Sequence, residues 1–141
     1  MSNLMTFPFR PVHLPRLGMV RRPIIPAIVS GPTGVLSGAF LIDSGADVSL
    51  IPHALGSRLG LSDEGVPRGL CRGIGKGIVP YSLCAVGLQV GQVRLRVRVG
   101  WCMAEGFPPV LGRLDVFDLL DIDFRQSANC LVVRPAGAQT A

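Results

Sequence analysis

The 141-residue sequence is poor in charged and aromatic side chains. Charged residues make up 16% of the chain and aromatic residues 6%, whereas glycine occurs 18 times and proline 12 times. Prolines and glycines in such numbers interrupt long helices and supply turns, so the composition is typical of strands joined by many turns. With 48% hydrophobic residues, the chain can bury one core, and its length fits one domain.

Long apolar runs and clustered metal ligands are also missing. No stretch approaches the ~20 residues of a membrane span, and no uninterrupted apolar segment follows the first basic residues, as it would in a signal peptide. The four cysteines include no Cys-x-x-Cys pair and no histidine at ligand spacing. We therefore expect a cytoplasmic protein without a membrane span, a metal or a disulfide framework, its cysteines being reduced and mostly buried.

Acidic side chains are absent before Asp43, and the only charged residues of this segment are Arg10, Arg16, Arg21 and Arg22. Its prolines exclude an amphipathic helix. We predict an irregular, solvated basic arm over residues 1–22, a single domain over residues 23–135 and a short tail over residues 136–141. Contact of the arm with nucleic acid or an anionic lipid surface is the alternative.

Hydrophobic patterns predict strands over most of the remaining chain. Residues 24–29 and 38–42 form a first hairpin around a turn at 31–34, and residues 38–42 are a continuous apolar run of the kind found in buried strands. Further expectations are a strand and one or two helical turns over 48–61, a glycine-rich hairpin tip over 73–77, two strands over 81–99, a strand end at 110–113, a short helix over 114–120 and a final hairpin of 121–124 with 130–133.

One strand alternates basic and apolar residues. Arg94, Arg96 and Arg98 are interleaved with valines and a leucine, which predicts a sheet with one apolar and one basic face. We interpret the basic face as solvated. Binding of nucleic acid or of an acidic substrate there is the alternative, and it predicts salt-sensitive affinity for polyanions.

Asp43 follows the apolar run of residues 38–42 directly and precedes Ser44 and Gly45. An ionised carboxylate beside an apolar strand costs free energy unless its oxygens find hydrogen-bond donors. The glycine lets a backbone N–H approach the carboxylate, and the serine hydroxyl can brace the turn. Taken alone, an Asp-Ser-Gly triplet is more typical of an ordinary turn at the end of a strand.

The order of three segments resembles the retropepsins, the retroviral-type aspartic peptidases, and their bacterial single-domain relatives. These segments are residues 40–47 (FLIDSGAD), the glycine-rich residues 73–77 (GIGKG) and residues 109–113 (PVLGR) before the predicted helix. The resemblance runs from about residue 22 to 133. It implies an all-β, small closed-barrel-like fold with one short C-terminal helix, a homodimer, and an aspartic endopeptidase that needs no metal or organic cofactor.

The resemblance also implies roles for the residues of the first segment. Asp43 of each of two subunits would be the catalytic pair, because the chain has one Asp-Ser-Gly and the reaction needs two carboxylates. Ser44, Gly45 and Ala46 would complete the active-site loop, with the Ser44 hydroxyl tying the two loops together. Asp47 would form a structural ion pair with Arg113.

A flap and a substrate pocket are implied in the same way. Gly73, Ile74, Gly75 and Lys76 would close over a bound peptide or protein substrate, and Pro108 and Val110 would line its pocket. Two positions depart from the common pattern of the family: Ser44 stands where threonine is commoner, and Lys76 where glycine is frequent. The first departure keeps the hydroxyl, and the second adds charge beside the path of the substrate.

Two other functions are compatible with parts of this pattern. A catalytically silent dimer of the same fold would bind peptides without cleaving them, although it would not need a paired acid at Asp43. A nucleic-acid-binding protein would use the basic strand face and the basic arm and would be indifferent to Asp43. We expect no nucleic-acid partner.

Overall fold

The computed structural model describes residues 4–75 and 77–137, and these form twelve strands and one regular α-helix. The strands are β1 (Met5–Pro8), β2 (Arg10–Leu14), β3 (Gly18–Arg22), β4 (Ile24–Ser30), β5 (Val35–Ile42), β6 (Ser49–Ile51), β7 (Arg68–Arg72), β8 (Ile78–Val90), β9 (Val93–Cys102), β10 (Val110–Leu111), β11 (Leu120–Arg125) and β12 (Cys130–Pro135). Helix α1 (His53–Leu59) follows β6. The predicted all-β class is confirmed.

Six of the strands close into a barrel. Their order is β4-β5-β10-β6-β9-β8, and β8 pairs with β4 to complete the circle, while β7 extends β8 at one side. The two-residue strand β10 lies between β5 and β6, parallel to the first and antiparallel to the second. The closed-barrel prediction is therefore confirmed.

Along parts of β9 and β5, every second side chain points into the barrel and is buried there. In β9, Val97 and Val99 are buried while the intervening arginines are exposed, as the sequence pattern predicts. In β5, Phe40 and Ile42 are buried and their neighbours are half-buried, so the apolar run that precedes Asp43 has one fully buried face and one partly covered face.

Helix α1 packs on the barrel through a glycine. The indole of Trp101 lies directly against Gly56 and donates a hydrogen bond from Nε1 to the His53 carbonyl (2.9 Å). The His53 and Trp101 rings are stacked, with 5.2 Å between their centroids. Gly60 ends the helix in a left-handed conformation (φ 79°), which glycine adopts at little cost. This helix matches the one or two turns expected within residues 48–61.

The N-terminal segment is ordered in strands. β1 pairs with β12, which also pairs with β11, so that three strands form a second sheet in the order β1-β12-β11. Phe9 is buried in the core, and its N–H donates to the Asn129 carbonyl (3.0 Å). The expectation of an irregular arm is therefore wrong for residues 5–22, because alternating half-buried positions in β1 cover the core. The domain boundaries at residues 22 and 135 remain a prediction.

Strands β2 and β3 form a separate hairpin. They pair with each other in register from Arg10 opposite Arg22 to Leu14 opposite Gly18, and no other described strand joins them. Their connection contains Arg16 at a positive φ of 71°. We call residues 10–22 the basic hairpin.

The predicted helix over residues 114–120 is present but irregular, because a kinked turn, Arg113–Phe117, leads into two further helical residues, Asp118 and Leu119. Leu114 has an extended conformation and Asp115 has a positive φ of 64°, so regular helix geometry is interrupted. The N–H groups of Leu114 and Asp115 donate to the Asp47 carbonyl (2.9 Å) and to the Asp118 carboxylate (3.2 Å), and these bonds hold both residues away from helical geometry. β11 then begins at Leu120.

All four cysteines are free, with Cys84 and Cys102 buried and Cys71 and Cys130 half-buried. Burial raises the pKa of the Cys102 thiol to about 11, with a smaller contribution from Cys71, and burial likewise raises the pKa of Cys84. These two thiols are accordingly poor nucleophiles at neutral pH. In the described ranges, no helix has both the length and the apolar character needed to cross a membrane.

Replacing Gly56 by alanine tests the packing of α1. A Cβ at this position would meet the Trp101 indole, so the ring or the helix must shift. We expect Gly56→Ala to lower the free energy of unfolding by about 2 kcal/mol, measured by thermal or urea denaturation. Gly77→Ala is the matched control, since a Cβ there meets open space. Equal stability of the two variants would contradict the described packing.

Candidate active site

Asp43 stands where β5 leaves the barrel. Its N–H donates to the Leu111 carbonyl of β10 (3.0 Å), which continues the β5–β10 pairing to the residue that carries the carboxylate. The Gly45 N–H donates to the Asp43 Oδ1 atom (2.9 Å). A Cβ at Gly45 would lie 3.2 Å from this oxygen, closer than most Cβ contacts, so glycine permits the short approach. The donor that the Asp-Ser-Gly order predicts is therefore present.

The loop of residues 43–48 is held by backbone bonds to the segment after β10. The N–H groups of Arg113 and Leu114 donate to the carbonyls of Ala46 (2.8 Å) and Asp47 (2.9 Å). The Gly112 N–H donates to the hydroxyl oxygen of the fully buried Ser49 (2.9 Å). A Cβ at Gly112 would collide with the backbone at residues 46 and 48. Both loop ends are thus fixed to one short segment.

The predicted ion pair between Asp47 and Arg113 is absent, and this expectation is corrected. Among the described residues, the ion pairs are Arg68–Asp63, Arg98–Asp115 and Arg125–Asp123. The Arg113 guanidinium instead donates to the Ser44 carbonyl (3.4 Å), and the Asp47 side chain is exposed. The backbone bonds already brace this loop, which removes the need for the ion pair.

The ion pair Arg98–Asp115 lies directly after residues 112–114, which hold the loop of residues 43–48. The Arg98 guanidinium donates twice to the Asp115 carboxylate, at 2.9 Å each, and the Arg98 backbone N–H donates to the same carboxylate at 2.9 Å. These hydrogen bonds hold the pKa of Asp115 below its ordinary value, against a smaller effect of burial. The contact fastens the turn that follows Gly112 to β9, whereas the sequence pattern placed Arg98 on a basic face that was interpreted as solvated, with polyanion binding as the alternative.

A cleft of about 360 Å³ opens beside Asp43. Five predicted site residues line it: Asp43, Gly45, Ala46, Asp47 and Gly73. Of these five, Asp47 had been predicted to have a structural role in an ion pair. The cleft thus brings the loop after β5 together with the hairpin between β7 and β8, which are thirty residues apart in the chain.

The cleft wall also contains residues that sequence reasoning missed: Val48, Leu50, Leu70, Cys71, Arg72 and Tyr81. The Tyr81 ring fits because Gly69 and Gly100 on the flanking strands leave space, and a Cβ at either glycine would meet the ring. Leu70 is 60% exposed and faces the cleft. A tyrosine flanked by glycines on predicted neighbouring strands is the signal that could have identified this wall.

The predicted flap is a hairpin tip. β7 and β8 are paired up to Arg72 opposite Ile78, and Gly73 to Gly77 connect them, with Gly75 at a positive φ of 105°. The Ile74 side chain is fully exposed and makes no lining contact with the cleft. Lys76 lies outside the described residues.

Three predicted site residues lie away from the cleft surface. Ser44 and Pro108 are exposed, and Val110 is half-buried in β10, where it pairs with Leu41 and Leu50. None of the three lines the cleft. Residues 4–75 and 77–137 also contain no group of three or more His, Cys, Asp or Glu side chains that could hold a metal ion.

The basic face of β9 is smaller than the sequence indicates. Arg98 is engaged by Asp115, and this leaves Arg94 and Arg96 exposed without an ion pair to any described residue. They stand opposite Gln89 and Gly87 of β8. Two arginines on a flat strand face are an ordinary solvated surface.

Comparison with known proteins identifies the fold. No protein-family model and no curated protein matches the chain. A solved retropepsin-like aspartic protease from Rickettsia conorii is similar, with a TM-score of 0.62 and 12% identity over 94% of this chain and 99% of that chain. The retroviral protease-like domain of Ddi1 from Leishmania major gives a TM-score of 0.51 and 14% identity over 84% and 98%. At these identities the similarity establishes the fold, which is retropepsin-like as predicted.

Removing the Asp115 carboxylate tests the brace behind the site. We expect Asp115→Asn to lower the melting temperature by about 4 °C at pH 7, because three bonds to a charged group weaken. Since the folded-state pKa of Asp115 is lowered, its stabilisation is present above the ordinary value of 3.8 and is lost as the pH falls through the lowered pKa. The difference from wild type should therefore shrink in acid.

Asp123→Asn is the matched control for this experiment. Its ion pair with Arg125 is about half exposed on both sides, and such pairs contribute little. Melting curves of both variants between acid and neutral pH provide the measurement. The bracing role would be contradicted if Asp115→Asn lowered the melting temperature no more than Asp123→Asn does, or if its effect did not depend on pH.

Proposed function

Because the chain has the fold of retropepsin-like aspartic proteases, we propose that it is an aspartic endopeptidase that works as a homodimer, with Asp43 of each copy in the catalytic pair. The observation that carries the proposal is the placement of Asp43. Asp43 follows a buried strand, its carboxylate accepts a hydrogen bond from Gly45, and it lines a cleft that Gly73 of the glycine-rich hairpin also lines.

A second copy is required because one chain supplies a single such carboxylate. The outer edge of β11 has no partner strand among the described residues, whereas β1 at the opposite edge ends in Pro8, which lacks an N–H. We place the dimer contact at β11, with two antiparallel copies joining the three-stranded sheets. Leu119 and Phe124, 40% and 39% exposed, would gain cover there.

The proposed contact lies close in the chain to the candidate site. The segment whose N–H groups bond Ala46 and Asp47 continues directly into β11 at Leu120. A twofold axis at the β11 edge would relate this segment to its copy, and with it the loop of residues 43–48. Closed dimers of this isologous type are the commonest oligomers of soluble proteins.

The chemistry follows from two carboxylates at close distance. Both cannot ionise readily, so the pair shares a proton. The ionised member takes a proton from a water molecule, which attacks the peptide carbonyl carbon, while the protonated member donates to the carbonyl oxygen, giving a tetrahedral gem-diol. The first member then passes its proton to the amide nitrogen as the C–N bond breaks, and the second takes a proton from a gem-diol hydroxyl, which releases the carboxylic acid and the amine and restores the pair. The Gly45 N–H that bonds Asp43 Oδ1 would fix the orientation of the carboxylate during both transfers.

The substrate class proposed is an extended peptide. Residues 73–75 and 77 present backbone at an open hairpin tip, and an extended chain laid between this tip and the residue 43–48 loop could pair with both as an added strand. Leu50, Leu70 and Tyr81 offer apolar contact for its side chains, and the exposed Arg72 adds a positive charge at the rim. Closure of the tip over the substrate would exclude water.

Cleavage of a diverse peptide library between acid and neutral pH tests the proposal. We expect the wild-type protein to cut library peptides and Asp43→Asn to lose at least about 10²-fold of the rate, since the pair can no longer share a proton as required. Sedimentation and melting curves should show that both proteins are folded dimers. Asp63→Asn, which removes an exposed carboxylate elsewhere, should cut at the wild-type rate.

Two results would count against a peptidase. Cleavage that persists in Asp43→Asn would show that another group does the chemistry or that a contaminant is responsible. Folded dimers that bind peptides and cut none would favour the silent peptide-binding module of the same fold.

A further inference from the structure

The basic hairpin stands outside the seven-stranded and three-stranded sheets, although Met19, Val20 and Arg21 line a groove with Gln126. β2 and β3 bond only each other among the described strands, and two-stranded hairpins on their own are marginal in water. Arg10 and Arg22 stand directly opposite in its register, and like charges in that position repel. An anion bound beside these two arginines would relieve that repulsion.

All charged side chains of the basic hairpin are arginines. It carries Arg10, Arg16, Arg21 and Arg22 and no acidic residue, and none of these arginines forms an ion pair with a described residue. Leu17 and Met19 are 73% and 64% exposed beside them. The hairpin thus offers cationic groups and some apolar area at the same place.

A segment with the opposite charge lies near the other end of the chain. Residues 114–124 contain four aspartates and no basic residue. Asp115 and Asp123 are paired with Arg98 and Arg125, which leaves Asp118 and Asp121 exposed and without an ion pair to a described residue. Arg134 stands opposite Asp121 in the β11–β12 register but forms no ion pair with it.

Within one chain, the hairpin and these two aspartates lie at opposite ends of β11. Met19, Val20 and Arg21 line a groove together with Gln126, the residue that follows β11. Asp121 is near the beginning of that strand, five residues away, or about 16 Å along an extended chain. If the β11 strands of two copies pair antiparallel, the first residues of β11 in one copy lie beside the last residues of β11 in the other. Asp118 and Asp121 of one copy are then close to the basic hairpin of the other.

We propose that the basic hairpin of each copy grips the partner copy at Asp118 and Asp121, so that two identical clasps flank the β11 contact. This inference rests on the proposed dimer and adds a surface to it. The arginines would find the anions that they lack within one chain, and the partner's surface would cover part of Leu17 and Met19. Charge complementarity would also fix the relative direction of the two copies.

Charge reversal tests the clasp in solution. The full chain is studied in the Asp43→Asn background, so that self-cleavage cannot interfere, and the dimer dissociation constant is measured by analytical ultracentrifugation at low and high salt. Arg21→Glu/Arg22→Glu and Asp118→Arg/Asp121→Arg should each raise this constant about 30-fold at low salt, and less at high salt. Arg94→Glu/Arg96→Glu, an equal charge change on β9, should leave it unchanged.

Mixing the two variants separates contacts between copies from contacts within one. In a heterodimer, the reversed hairpin meets the reversed acidic segment, and the native hairpin meets the native segment. An equimolar mixture should therefore recover the affinity of the parent protein, which neither variant shows alone. Melting temperatures of each variant confirm that it is folded.

The outcomes also separate this inference from the dimer itself. A parent protein that stays monomeric at all concentrations overturns the proposed dimer and the clasp together. A parent that dimerises while the hairpin variant does so equally well, or a mixture that fails to recover, overturns the clasp alone. If the Arg21→Glu/Arg22→Glu variant loses binding to phosphatidylglycerol vesicles or to RNA while it dimerises as the parent does, the clasp is also overturned. The hairpin would then be assigned to binding of that polyanion.

Discussion

The site depends on the insertion of a two-residue strand, β10, between β5 and β6. Leu111 accepts a hydrogen bond from the Asp43 N–H, and the next three residues bond Ser49, Ala46 and Asp47. The loop that carries the carboxylate is therefore held at its beginning and its end by one continuous segment. Since these bonds involve mainly backbone groups, they need few particular side chains, but they do need a glycine at 112, where no Cβ fits.

The same segment links the site to the surface where we place the dimer. After Gly112 the chain makes a kinked turn fastened to β9 through Asp115, and it then continues into β11, whose outer edge has no partner strand among the described residues. In the proposed dimer, the association that brings the second carboxylate would also give this edge of β11 a partner strand. The charge separation between the basic hairpin and Asp118 and Asp121 would add direction to that association.

Periodicity and turn residues were sufficient to predict most strands and the placement of Asp43. The alternation in β9, the apolar run of β5 and the glycines of the 73–77 connection each reflect local physical requirements that a single sequence displays. The predictions were wrong where contacts between residues far apart in the sequence determine the structure. Strands β1 to β3 look irregular because of their prolines, yet β1 is held by β12, more than 120 residues later. The pairing of Asp115 with Arg98, in place of Asp47 with Arg113, depends on how one kinked turn meets β9.

The central claim is that one active centre contains Asp43 of two copies, and subunit mixing tests it most directly. Wild-type and Asp43→Asn chains are unfolded together at varied ratios, refolded, and assayed on a peptide that the wild type cleaves. If both carboxylates are needed, activity falls as the square of the wild-type fraction, to about one quarter in an equimolar mixture. Activity proportional to the wild-type fraction would show that each chain acts alone and would contradict the account.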